Sequence, residues 1–122
     1  MRQAAGRMRL TLSTASLLVL CGALLAGCVA RHPAGIASSS APVTPTYTVL
    51  GPVEETDCAS WVLILPIGAK DSIHEMIDKL VKEKGADALI GVTAEERIWA
   101  FPLPIFGRDC TIVKGTAVKN TK

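Results

Sequence analysis

Between Arg9 and Arg31 the chain carries no charged residue, and the run ends on Leu25-Ala26-Gly27-Cys28 and two further apolar residues. Arg2, Arg7 and Arg9 precede it. A basic start, an apolar middle and small residues at a cut site are the layout of a secretory signal. No other feature limits the fold as much, because it withdraws residues 1–27 from it. The run is also long enough to cross a bilayer as an uncleaved helix. Thr11, Ser13, Thr14 and Ser16 dilute its first half, however, and its strongly apolar part is Leu17 to Val29. Either way the remainder lies outside the cytoplasm, since the arginines stay inside.

Leu25-Ala26-Gly27-Cys28 resembles the lipobox of bacterial lipoproteins. The resemblance implies cleavage before Cys28, a diacylglycerol on its sulfur, and Cys28 as residue one of the mature chain. Each position has a chemical reason. A thiolate is nucleophilic enough to form the thioether and a hydroxyl is not. Ala26 and Gly27 suit a narrow peptidase site, and Leu25 fills an apolar subsite. Cys21 follows the bulky Leu20 and is discarded with the signal. Val29, not Asp, follows Cys28. In a Gram-negative host the enteric sorting pattern then implies the outer membrane, with the domain facing the periplasm.

The formal net charge of +2 belongs to the precursor. Three of its 13 basic residues precede the cut, leaving ten against 11 acidic residues and no basic block. A nucleic-acid partner therefore lacks electrostatic support. Of four cysteines, Cys58 and Cys110 remain unassigned. An even pair in an oxidising compartment reads as a disulfide, with two buried free thiols as the alternative. No Cys or His stands at ligand spacing to either, so no metal set is expected.

Residues 28–46, the acylated cysteine and a Pro-, Ser- and Ala-rich stretch, read as a flexible linker spanning roughly 25 Å. His32 would be solvated within it. The folded part is expected over 47–119. Tyr47 to Leu50 is strand-like, Gly51-Pro52 interrupts it, and Val53 to Cys58 continues it past a bulge. Trp61 to Gly68 is apolar without alternation and reads as a buried crossover segment. Ser72 and Glu75 form a capping box, with Asp71 at the positive end of the helix dipole. Ile73, Met76, Ile77, Leu80 and Val81 give one apolar stripe, and Gly85 suits the left-handed position after the helix. Leu89 to Ala94 is a strand that runs on toward Trp99. Ile98 to Phe106 is an oily loop, Gly107 to Asp109 a turn, and Cys110 to Val118 the last strand. The expected fold is α+β: one small β-α-β-β domain with an antiparallel three-stranded sheet and one helix on one face. A Cys58–Cys110 bridge then places the last strand centrally, between the first and the second.

The order of these signals is similar to that of the small TRL-like lipoproteins. The matching residues are Tyr47-x-Val49-Leu50-Gly51, Cys58, the segment Leu65 to Gly68, Lys84-Gly85-Ala86-Asp87-Ala88-Leu89, and the finish Cys110 to Val118. That group carries no established activity, so the resemblance implies no catalytic residues. The element order is more distantly similar to the domain of the envelope lipoprotein that senses stress for the Rcs phosphorelay.

The domain holds no Gly-rich phosphate loop, no H-E-x-x-H and no G-x-S-x-G. His74 reads as a partly exposed helix residue. Glu54, Glu55 and Asp57 read as a solvated acidic edge, with weak cation binding as the alternative. Glu95, Glu96 and Arg97 belong to the solvent side of a strand. Both tryptophans and both phenylalanines fall in the two oily stretches. If those stretches bury they are core; otherwise Trp61, Trp99, Phe101 and Phe106 form an exposed contact surface. The expected function is that of a non-enzymatic envelope lipoprotein without cofactor. It would be held to the membrane by its lipid and act through an envelope protein or a second copy. The alternative is a small-ligand or metal-binding module of the cell envelope.

Overall fold

The computed structural model describes residues 16–23, 27–101 and 105–121. Leu25 and Ala26 of the lipobox-like tetrapeptide, the whole basic start with Arg2, Arg7 and Arg9, and the centre of the oily loop lie outside them. Residues 16–23 are helical (α1). The chain then runs β1 (Cys28–Ser39), β2 (Tyr47–Val62), β3 (Leu65–Ile67), α2 (Ile73–Lys84), β4 (Ala88–Ala100) and β5 (Phe106–Asn120). The strands form one antiparallel sheet in the order β1-β4-β5-β2-β3. Among the described residues, five strands and two helices thus replace the expected three-stranded sheet with one helix.

α2 forms where its caps require. The Ser72 N–H donates to Glu75 Oε2 at 2.8 Å, and the Glu75 N–H donates to Ser72 Oγ at 3.3 Å. Gly85 adopts φ 60°, and its N–H donates to the Lys82 carbonyl at 3.2 Å. Only an almost strain-free left-handed residue ends a helix this way, which is why glycine stands there. Met76 and Leu80 are buried against the sheet, with Ile77 and Val81 partly so. They meet Val53, Leu89, Val92, Ala94, Val113 and Ala117, and this is the core.

Two bulges aim the core residues. In β4, Ile90 opposes Thr116 and Thr93 opposes Lys114, so two residues face one across the ladder, with Gly91 at φ 60°. The extra residue reverses the alternation. Leu89 before the bulge and Val92 and Ala94 after it therefore all face α2. In β2 the register shifts between Val49 and Gly51, where the sequence shows Gly-Pro. Past it, Val53 turns to the core.

Three local expectations are corrected. The stretch read as a flexible linker supplies β1, whose residues Cys28 to Ser39 pair with Ala100 to Ile90. Its side chains are largely exposed, but an edge strand is held mainly by main-chain hydrogen bonds and needs no apolar face of its own. The ladder slips between Pro33 and Gly35, the kind of place where an edge tolerates proline. The segment read as a buried crossover is the end of β2, a two-residue turn at Leu63-Ile64, and β3. It is largely exposed. Gly107 to Asp109 is no turn: Gly107 pairs with both Trp61 and Ala100, inside the central strand.

Candidate contact surface

Four strands meet at one end of the sheet. β1 begins there, β4 ends there at Ala100, β5 begins at Phe106, and β2 ends at Val62. Cys28 opposes Ala100, Val29 opposes Trp99, and Val62 opposes Phe106. Directly opposed residues of an antiparallel pair share a face, and alternate residues of a strand do too. Val29 and Trp99 therefore form one apolar pair and Phe106 and Val62 a second, one step nearer the end, all on the face away from α2. Trp99 stacks on Phe101 with ring centroids 6.2 Å apart and meets Phe106 edge-on at 6.2 Å. Such geometries are favoured by the aromatic quadrupole. All three rings keep more than a third of their surface in solvent.

Trp61 lies at the same end but on the other face. Its indole fills the space above Gly107 that a side chain would occupy, and it is half-buried. So the structure brings Trp99, Phe101 and Phe106 together at the surface and uses Trp61 partly as packing.

Sequence reasoning missed the sharpest feature of this end. The β2–β3 turn carries Leu63 and Ile64, 58% and 92% exposed, with Leu63 at φ 58°. Two-residue hairpin turns favour Asn-Gly or Asp-Gly because they demand positive φ. A leucine there is strained, and strain of this kind concentrates at functional positions. Leu65, Ile67 and Ile105 extend the exposed apolar surface. The signal was present in the sequence as an apolar pair between strand-like segments, but it lacked the turn residues that would have marked it.

Cys58 and Cys110 oppose each other on the face away from α2, bridged, with Cα atoms 4.0 Å apart. The pairing is the one the central placement of β5 requires. The backbone of Cys28 opens β1 at the apolar end.

The acidic stretch before Cys58 is divided between the two faces. Glu54 pairs with Lys114 at 3.4 Å, and Glu55 pairs with Lys79 of α2, whose amine it pushes above the ordinary lysine value. Asp57 accepts the backbone N–H groups of Cys58 at 2.9 Å and Asp71 at 2.6 Å. Each acid has its own partner, so this is not the simple solvated edge that was expected. Among the described residues no group of three His, Cys, Asp or Glu could hold a metal ion. Glu96 points toward Lys70 at 3.6 Å, and Lys70 also donates to Asp109 at 2.9 Å. His74 is solvent-exposed and 3.6 Å from Asp78. His32 is exposed, on β1 and not in a tether.

No helix among the described residues is long and apolar enough to cross a membrane. No protein-family model matches the chain, and the searches of curated proteins and of solved structures found no match.

Proposed function

We propose that this chain is a lipid-anchored module of the bacterial cell envelope that acts by contact and not by catalysis. The observation that carries the reading is the convergence of an exposed aromatic and aliphatic end with Cys28, the residue a lipobox would acylate. Trp and Phe are the residue types that anchor contacts, and exposed apolar surface of this extent marks an interaction site. An envelope protein, a second copy of the chain and the membrane itself are the surfaces such an end would meet. The similarity of its motifs to the TRL-like lipoproteins agrees with this reading.

Radiolabelled palmitate tests the anchor. Wild type takes up label, and Cys28→Ala stays unprocessed and unlabelled. Equal labelling of the two would overturn the lipoprotein reading.

A further inference from the structure

The apolar end does not stand alone. On the same face are three arginines, one within the aromatic row and two immediately behind it. Arg31 on β1 directly opposes Arg97 on β4, and Arg108 on β5 opposes Trp99. Like charges placed directly across a ladder repel. None of the three forms an ion pair among the described residues, and Arg97 Nε is buried without a hydrogen-bond partner. Moving along this face from its end, one meets aliphatic side chains, then aromatic rings with Arg108 beside Trp99, then the opposed Arg31 and Arg97. That is the sequence of environments through a membrane interface: acyl chains, the aromatic belt, then headgroup phosphates.

The position of Cys28 fixes the direction. No residue intervenes between Cys28 and β1, which begins at that residue. A diacylglycerol on Cys28 would therefore draw the opposed Ala100 and its aromatic neighbours to the bilayer surface, because there is no slack to hold them away.

We propose that this end of the sheet docks into the bilayer that holds Cys28. Leu63, Ile64 and the aromatic rings enter the interface, and Arg31, Arg97 and Arg108 meet anionic phosphates. This rests on Cys28 being acylated, and it names the bilayer as the partner of the contact surface. Docking also accounts for the strained Leu63: an Asn-Gly turn would fold more easily but would enter lipid poorly.

Both tryptophans sit at this end, so their emission reports its depth. The mature protein, purified from envelopes with its Cys28 peptide checked by mass, is inserted into phosphatidylethanolamine–phosphatidylglycerol vesicles with or without brominated acyl chains. Bromine should quench wild-type emission. Ile64→Asp should restore much of it while the amount of vesicle-bound protein stays equal. Leu63→Gly should also be quenched less although its thermal midpoint is no lower, which separates docking from folding. Vesicle-bound, acylated wild type that bromine does not quench would overturn docking and leave the anchor intact. Emission that follows protein density and not bromine would also overturn docking, in favour of contact with a second copy. An unacylated Cys28 would overturn the anchor, and docking into the bilayer that holds Cys28 would fall with it.

Discussion

The Trp61 indole reaches over Gly107 on the neighbouring strand, so close that a β-carbon on Gly107 would overlap it and would also crowd the Trp99 carbonyl. A glycine in a central strand ordinarily weakens it. Here the ring of the opposed residue covers the gap.

Gly107→Ala should therefore destabilise the protein by about 1–3 kcal/mol, the usual cost of overpacking. Chemical unfolding measures it. The change should also redden Trp emission as the indole is displaced into solvent.

The disulfide ties the two longest strands together. It spans a sequence separation of 52 residues, worth about 4 kcal/mol in the chain-entropy model. A domain this small has little stability to spare, so Cys110→Ser should lower the thermal midpoint sharply. A non-reduced digest of wild type should contain one linked Cys58–Cys110 peptide.

Acid should act on the start of α2. The Ser72 N–H, then the Ser72 hydroxyl, holds the Glu75 carboxyl below its ordinary range, against the pull of desolvation and with the smallest contribution from His74. Because the folded value is the lower one, this stabilisation is complete above the ordinary carboxylate range. It is lost as pH falls through the folded value. Glu75→Gln retains an acceptor but has no charge to lose. Thermal melts followed by circular dichroism should show wild type ahead of the variant at pH 7 and the gap closing toward pH 3.

What the sequence made legible was what side chains decide locally. Ser72, Glu75 and Gly85 specify both ends of α2 because capping is short-range chemistry. Gly51-Pro52 marks a bulge for the same reason. The cysteine pair gave the register of β2 against β5, since a bridge demands opposed positions. β1 was illegible because its pairing is carried by main-chain atoms, which every residue has, and Pro, Ser and Gly in it mimic a disordered segment. The β2–β3 hairpin was hidden by Leu63 and Ile64, which break the turn preference that usually reveals one. The same departure makes that turn part of the candidate surface. The three arginines lie on three strands and come together only through register, so no stretch of sequence displays them.

The central claim is that the aromatic and aliphatic end is surface kept for contact and not core. Equilibrium chemical unfolding of Ile64→Asp and Trp99→Ser beside wild type tests it most directly. The account predicts a change within about 0.5 kcal/mol for Ile64→Asp, as for ordinary surface positions. It predicts about 1–3 kcal/mol for Trp99→Ser, from two ring contacts worth about 0.5–1.5 kcal/mol each. A loss of about 3 kcal/mol or more for Ile64→Asp, the cost of emptying a core site, or of about 4 kcal/mol or more for Trp99→Ser, would contradict it.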